Sequence, residues 1–293
     1  MSRFVRFIGI DWSGAKGERH RSIAIASADA AGGPPALLPR PRGWTRGEVL
    51  DLLESLEGED VLVGMDISTA FPFADCGAYF PGHPESPPDA AALWAMVDAL
   101  CAEDPHLGAA SFVDHPSLAP YFRRHGGREG AMFGCDGALH GRGRLRVTEH
   151  HQALAGCKPY SNFNLVGAAQ VGKASLTGMR VLNRLRGKLA LWPVDPLPAT
   201  GPVVVEIYSA LAAIAAGRSA GRAKMRNFED LNAALAALGS SPVDGDGKLD
   251  DHSADALCIA AWLRAVADDQ RLWSPAAMTP HVARTEGWTF GVA

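Results

Sequence analysis

The stretch that decides the fold is FVRFIGIDWSGAK, residues 4–16. An apolar run with one interrupting Arg ends at a single carboxylate, Asp11, and small residues follow at once. This pattern is typical of a buried strand that carries a charge to the edge of a sheet, where glycine permits the next turn. Residues 61–66, VLVGMD, repeat the pattern with Asp66, and residues 203–206, VVVE, repeat it with Glu206.

Three strand-end acids are hard to explain by packing alone. An unpaired carboxylate is costly to bury, so several converging carboxylates indicate a bound metal ion. The alternative is that each acid caps a turn or the helix that follows it, as a single strand-end Asp usually does. The repetition of the pattern on three strands favours a metal site.

The order of predicted elements indicates the fold class. Residues 22–27 read as a second strand, close enough to the first to pair antiparallel. Thr45 and Glu48 form a capping-box pattern before an apolar helical stretch, and the strand ending at Asp66 follows. Strand, strand, helix, strand predicts an α/β fold with a mixed sheet flanked by helices. We expect a single domain over residues 1–293, with a large, partly irregular and basic insertion over residues 71–200.

The charge of the chain is unevenly distributed. Between Tyr121 and Ala190 there are 12 Lys and Arg against 3 Asp and Glu, an excess of +9, so the rest of a chain of net charge −4 carries −13. A basic surface facing an anionic ligand and a solvated basic segment both fit this excess. Arg142, Arg144 and Arg146 have the spacing to share one face of a strand, and Arg180, Arg184 and Lys188 have the spacing to share one face of a helix. Each set could contact a row of phosphates or could face solvent.

The cysteines and the apolar stretches of the sequence indicate where in the cell the protein is expected. The five cysteines show no C-x-x-C spacing, which disfavours both a disulfide framework and a zinc ribbon. We find neither a signal-peptide pattern nor a stretch of transmembrane length. We therefore expect a soluble cytoplasmic protein with no membrane association.

A late helix, predicted over residues 250–263, carries further acids. The helix dipole favours Asp near the first turn and explains Asp251. It explains Asp255 less well, because Asp is a poor helix former beside an apolar face. Asp255 is spaced i+4 from Asp251 and i+3 from His252, so either pair projects to one side. The alanines at 254, 256, 260 and 261 would let this helix lie close against a sheet.

These motifs resemble those of a known superfamily. Strand-end Asp11 and Asp66, with the His-x-x-Asp at 252–255, resemble the RNase H-like nucleases, and the Asp-Ala-Leu run at 255–257 is similar to the last acidic helix of Holliday-junction resolvase-type enzymes. Over nearly the whole chain, and only loosely over residues 71–200, the sequence resembles a bacterial and archaeal family of uncharacterised predicted RNase H-like nucleases. The stretches that carry this resemblance are residues 9–15, 206–208 and 286–292.

The resemblance implies a mixed sheet with the second strand antiparallel, and phosphodiester hydrolysis assisted by two Mg²⁺ or Mn²⁺ ions. Asp11 would bridge both ions, Asp66 would hold one, and Asp255 with His252 or Asp251 the other. Resolvase-type sites do not require a strand acid at Glu206, which we take as an outer ligand or a water-orienting group. The candidate substrate contacts are Lys16, Arg180, Arg184, Lys188 and Lys224. Nucleic acid is the expected partner, DNA or RNA, and the oligomeric state is left open, with a dimer as one option.

Two other classes of function stay open. Actin-like and sugar-kinase ATPases share this sheet topology, and their first strand also ends in Gly-x-Asp. They normally need a duplicated domain and a second glycine-rich phosphate loop, and we find neither in the sequence. A binding module without catalytic activity would retain the basic segment but would not need three converging acids.

Overall fold

The computed structural model describes residues 3–134, 143–166, 171–219 and 223–293. It shows an α/β fold in which helices flank a mixed six-stranded sheet, as the sequence predicts. The strands of the protein are β1 (Arg6–Asp11), β2 (Ala24–Asp29), β3 (Ala36–Leu37), β4 (Val61–Met65), β5 (Arg123–Arg124), β6 (Arg128–Glu129), β7 (Ala190–Trp192) and β8 (Val203–Glu206). The large sheet has the order β3-β2-β1-β4-β8-β7, and β5 and β6 form a separate pair.

The direction of the strands agrees with the prediction. Strand β2 is antiparallel to β1 and to β3, whereas β1, β4, β8 and β7 run parallel. The helices are α1 (Arg46–Glu54), α2 (Ala90–Leu100), α3 (Ala110–Asp114), α4 (Val147–Leu154), α5 (Val171–Leu185), α6 (Ser209–Ala215), α7 (Phe228–Ala237), α8 (Asp251–Val266), α9 (Gln270–Trp273) and α10 (Pro280–Thr285). Throughout the described ranges, no helix combines the length and the apolar character that crossing a membrane requires.

Two hydrophobic clusters cover the two faces of the sheet. Helices α1, α2 and α5 pack on one side, which we call the α5 face, and α6, α7 and α8 pack on the other, which we call the α8 face. Helix α1 begins with the predicted capping box, in which the side chains of Thr45 and Glu48 each accept a hydrogen bond from the other's backbone. The segment of residues 71–200 contains α2 to α5 and closes with β7, which pairs with β8 in the sheet.

Two glycines let α8 approach the sheet closely. Gly9 of β1 and Gly64 of β4 are paired in register, and α8 packs across these strands. A Cβ atom built on Gly9 would lie 2.5 Å from the carbonyl oxygen of Ala256 and 2.8 Å from the backbone nitrogen of Ala260. The predicted close packing of the alanine-rich face is therefore confirmed. This approach brings the first turns of α8 beside the carboxyl end of β1.

Gly9→Ala is expected to lower the free energy of unfolding by about 1–3 kcal/mol, because the added methyl group meets backbone atoms that cannot move aside alone. Denaturant unfolding followed by circular dichroism measures the change. Gly47→Ala is the matched control, since its Cβ meets only the Thr45 hydroxyl at 3.7 Å, at an exposed position of α1. We expect the control to gain up to about 1 kcal/mol through helix propensity. Equal changes in the two variants would contradict close packing at Gly9.

Candidate functional site

The register of β1 and β4 places Asp11 and Asp66 side by side. Ile10 pairs with Met65, and the Asp66 backbone nitrogen donates to the Ile10 carbonyl at 2.9 Å. Neighbouring strands lie about 4.8 Å apart, so two acids at the same level of parallel strands are close. Because side chains alternate along a strand, both project to the same face as Gly9 and Gly64, which is the α8 face.

Glu206 lies on the opposite face. It pairs with Met65 rather than with Asp66, so the alternation of side chains turns it toward the α5 face. Its carboxylate is buried and accepts hydrogen bonds from the guanidinium of Arg146 at 2.5 and 2.8 Å. The Thr69 backbone nitrogen and the Thr289 hydroxyl donate to it at 2.7 and 2.5 Å. These contacts hold the carboxylate in place, and Glu206 also lines the same cleft as Asp11 and Asp66, so the role of outer ligand or water-orienting group stays a prediction.

Helix α8 adds two side chains to the strand acids. The ring nitrogen Nδ1 of His252 lies 2.7 Å from Oδ2 of Asp11, which accepts its hydrogen bond. Asp255 follows one turn later, is only 5% exposed, and accepts a hydrogen bond from the Lys224 ammonium at 2.6 Å. The charges of Asp11 and Asp66 also act on Lys224. The structure thus gathers three acids, one histidine and one lysine at the carboxyl end of β1 and β4.

Asp251 occupies a different position from His252. Its carboxylate accepts a hydrogen bond from Nε of Arg226 at 3.1 Å, in an exposed ion pair. His252 contacts Asp11 directly. Of the two candidates on the helix, the structure therefore places His252, and not Asp251, against the strand acids.

Burial and mutual repulsion shift the pKa values of the acids. Burial, assisted by the charge of Asp11, raises the pKa of Asp66 to about 7, although part of its side chain is accessible. Burial also raises the pKa of Asp255 to about 6, against the opposing effect of Lys224. The hydrogen bond to Asp11 raises the pKa of His252. Near neutral pH, the cluster therefore favours any added positive charge.

Asp66→Asn is expected to raise stability at pH 8 in metal-free buffer by about 1–3 kcal/mol. The folded-state pKa of Asp66 lies above its ordinary value of 3.8. The free energy of unfolding of the wild-type protein therefore falls as the pH rises from about 4 to about 7, where the unfolded chain has already lost the proton that the folded protein still holds. The variant lacks the ionisation and should gain on the wild type over that window. Urea unfolding at several pH values with EDTA present measures the difference, and a pH-independent difference would contradict the raised pKa.

Asp11 and Asp66 open onto a cleft of about 670 Å³. Asp11, Asp66 and His252 line it, together with the partly exposed Tyr160 and with Lys173 of α5. Sequence reasoning missed Lys173 because the predicted helix began at residue 176. The signal was present, since Lys173 lies seven residues before Arg180 and so continues the same basic row along the helix.

The predicted stripe of Arg180, Arg184 and Lys188 is corrected in part by the structure. Arg180 is 1% exposed and donates to Asp98 of α2 at 2.8 Å and to a backbone carbonyl at 2.6 Å. Arg184 also contacts Asp98. Lys188 lies beyond the end of α5 and pairs with Glu54 at 2.6 Å. Arg180 is therefore on neither a solvated face nor a phosphate surface, whereas Arg184 and Lys188 stay partly exposed in their ion pairs, and phosphate contact by these two stays a prediction.

The row of Arg142, Arg144 and Arg146 is corrected in the same way. Arg142 lies outside the described residues. Arg144 is buried and pairs with Asp75 at 2.6 Å, and Arg146 pairs with Glu149 and Glu206. Several cations of the basic segment are thus neutralised inside the fold by acids from the rest of the chain.

Exposed cations do gather near the site, on other loops. A groove of about 780 Å³ begins at His252 and continues past Lys16 along the outer strands of the sheet. Arg19, Arg21 and Arg40 also line this groove. Of the predicted substrate contacts, Lys224 bonds to Asp255, and Lys16 lines the groove that begins at His252.

The donor set suits a hard divalent cation. Carboxylate oxygens are the preferred ligands of Mg²⁺ and Mn²⁺, and the Lys224 ammonium already supplies positive charge to the acids. Among the described residues, no group of three His, Cys, Asp or Glu side chains stands close enough to hold a metal ion without rearrangement. Asp255 is engaged by Lys224, so a cation shared by the three acids requires Lys224 to move.

Comparisons of this chain with protein-family models, with curated proteins and with solved structures found no match.

Proposed function

We propose that this protein is a metal-dependent hydrolase of phosphodiester bonds in nucleic acid, with an RNase H-like fold. The observation that carries the proposal is the convergence of Asp11, Asp66 and Asp255 at one sheet edge, with His252 bonded to Asp11. The antiparallel β2 and the placement of α8 beside the strand acids also support it. Packing alone does not explain three acids that repel one another, where burial raises the pKa values of Asp66 and Asp255 and the charge of Asp11 raises them further.

Each residue of the cluster has a distinct role in this proposal. Asp11, Asp66 and Asp255 would hold Mg²⁺ or Mn²⁺, which when bound supplies Lewis-acid stabilisation of charge on the phosphate. Asp11 fixes the ring of His252 through Nδ1 and raises its pKa, which leaves Nε2 to exchange a proton with water or the leaving oxygen. Lys224, released from Asp255, would contact a phosphate oxygen.

The groove lined by Lys16, Arg21 and Arg40 supports nucleic acid as the substrate. It continues from His252, so a strand with one phosphate at the acids can place further phosphates along the groove. The Arg40 guanidinium lies 4.4 Å above the ring of Trp44, which keeps that cation at the surface. This surface replaces the basic stripe of α5 as the proposed phosphate-binding face.

An assay on a panel of nucleic acids tests the proposal. The purified protein is incubated with Mg²⁺ or Mn²⁺ and with labelled branched DNA, single-stranded DNA, RNA and hybrid duplex, while ATP hydrolysis is measured in parallel. We expect nicking of at least one nucleic acid, dependent on the metal and absent with EDTA. ATP turnover without nicking would favour the kinase-like alternative, and the absence of both activities would favour a binding module.

A further inference from the structure

A second cavity adjoins the acid cleft. It has a volume of about 450 Å³ and shares part of its wall with the cleft, namely Gly14, Ala15 and Lys173. The loop after β1 forms one side, the turn of residues 104–108 and helix α3 form another, and α5 forms the third. The size lies within the range of small-molecule sites, so the cavity can hold a group attached to whatever occupies the cleft.

A buried cation lies in the wall of this cavity. The guanidinium of Arg46 donates to the carbonyls of Ser13, Ala15 and His106 at distances of 2.6 to 3.2 Å. Across the described part of the chain, no carboxylate pairs with it. Burial, assisted by the charge of Arg180, lowers the pKa of Arg46 to about 10, which still leaves it charged at neutral pH. A buried positive charge bonded only to neutral carbonyls makes the cavity favourable for an anion.

The turn beside Arg46 has a strained backbone. His106 and Leu107 both adopt left-handed conformations, with φ of 56° and 53°. Such conformations cost about 1–2 kcal/mol for each residue that is not glycine, and they concentrate at ligand sites. Arg46 holds the carbonyl of His106, and Arg180 holds that of Gly108. Two buried guanidiniums therefore hold this wall in one shape.

The rest of the lining is largely apolar. Val113, Leu165 and Leu176 supply aliphatic surface, and Lys16 stands at the side shared with the basic groove. The two carboxylates in the wall are engaged, Asp104 by Ser111 and Asp114 by Arg124. Aliphatic surface suits the faces of a planar ring, and the cations suit a phosphate attached to it. The position next to the acids suits a unit joined to the reacting phosphodiester.

We propose that this cavity is a nucleotide subsite, which holds the nucleoside and the phosphate of the unit next to the bond cut at Asp11 and Asp66. The inference rests on the proposed function, because it assigns the cavity to the same substrate. It also gives that substrate a selective feature, since a nucleobase must leave its stack to enter the cavity. The substrate class is then single-stranded or locally unpaired nucleic acid rather than a continuous duplex.

Nucleotide binding in the presence of EDTA tests the subsite without any contribution from metal or cleavage. The probes are the ribonucleoside and deoxyribonucleoside 5′-monophosphates, with ribose 5-phosphate and inorganic phosphate as probes that lack a base, and calorimetry measures their affinity. We expect at least one nucleoside monophosphate to bind about tenfold more tightly than ribose 5-phosphate. Monophosphates that bind no better than inorganic phosphate would overturn the subsite.

Variants that fill the cavity locate the binding. Val113→Trp places an indole inside it, and Ala110→Trp does so from an exposed position at the start of α3, where folding is not at risk. Leu154→Trp is the matched control, because Leu154 is 83% exposed on α4 and lines neither cavity. We expect the first two variants to weaken nucleotide binding by about tenfold or more and the control to leave it unchanged. Unchanged affinity in folded Ala110→Trp would overturn the assignment.

The two proposals fail in different ways. If the filling variants abolish nucleotide binding but the protein nicks no nucleic acid, the subsite proposal stands and the hydrolase proposal fails. If the protein nicks nucleic acid in a metal-dependent way but the filling variants leave nucleotide affinity unchanged, the hydrolase proposal stands and the subsite proposal fails.

Discussion

Asp11→Asn is expected to abolish metal-dependent cleavage, with a loss on the order of a thousandfold, because a metal-assisted step is worth several kcal/mol. Asn has the same shape but no charge, and its side-chain oxygen can still accept from His252. The fold should therefore be retained, and stability should stay level or rise as repulsion among the acids falls. Initial rates on the cleaved nucleic acid and thermal unfolding of the same sample measure the two effects.

Asp29→Asn is the matched control for this variant. Asp29 also ends a strand, β2, but it lies at the opposite edge of the sheet and accepts a hydrogen bond from the Ala31 backbone. It represents the turn-capping role that a strand-end Asp usually has, and we expect cleavage by this variant to match the wild type. If Asp11→Asn unfolds the protein with no separate loss of cleavage, Asp11 has a structural role instead.

Substitutions of the two acids of α8, Asp255 and Asp251, are expected to have different effects on cleavage in the same assay. Asp255→Asn should lose cleavage as Asp11→Asn does, since Asp255 is buried and acts electrostatically on Asp66. Asp251→Asn should retain most of the activity, because Asp251 forms an exposed ion pair with Arg226. Equal losses in the two variants would place the metal nearer the start of α8 than the structure indicates.

Arg146→Met is expected to destabilise the protein by about 3–5 kcal/mol, the largest stability effect that we anticipate. The guanidinium is 0% exposed and bonds to Glu149, to Glu206 and to the carbonyl of Glu286. Methionine fills much of the space but leaves two buried carboxylates without their cation. Chemical denaturation monitored by circular dichroism measures the change.

Two further variants distinguish the effect of breaking the buried network around Arg146 from the effect of removing any arginine charge. Arg271→Met removes an exposed pair with Asp269 and should change stability far less than Arg146→Met, because surface pairs contribute little. Combining Arg146→Met with Glu206→Gln should recover part of the loss, because one buried charge is then removed. A double variant less stable than Arg146→Met alone would contradict the role of Arg146 as the cation for Glu206.

Signals that act over a few residues were readable in the sequence. The capping box of Thr45 and Glu48, the antiparallel second strand and the alanine-rich late helix all depend on neighbours along the chain, and the structure contains all three. The pairing of Asp11 with Asp66 followed from two parallel strands that end alike. Local sequence therefore predicted the sheet and the centre of the candidate site.

Glu206 shows why the third strand acid could not be placed. A shift of one residue in strand register moves a side chain to the other face of the sheet, and the sequence does not reveal register between distant strands. Once the structure is known, one feature of the sequence distinguishes Asp11 and Asp66 from Glu206. Asp11 and Asp66 each follow a glycine by two positions, on the face that α8 covers, whereas Glu206 follows a valine.

The basic segment could not be interpreted for a related reason. Periodicity shows that Arg180 and Arg184 share a face, but not what that face meets. The structure places Asp98, from the acidic remainder of the chain, against both. Charge asymmetry along a sequence therefore disappears where the two parts fold onto each other.

The most direct test of the metal site is anomalous diffraction from crystals of the protein grown with Mn²⁺. We expect a manganese peak between the carboxylates of Asp11 and Asp66, with Asp255 as a further ligand and the Lys224 ammonium moved off Asp255. Crystals of Asp11→Asn grown in the same way should lack that peak. A wild-type structure at saturating Mn²⁺ with no peak beside these acids, and with Lys224 still bonded to Asp255, would contradict the proposed metal site.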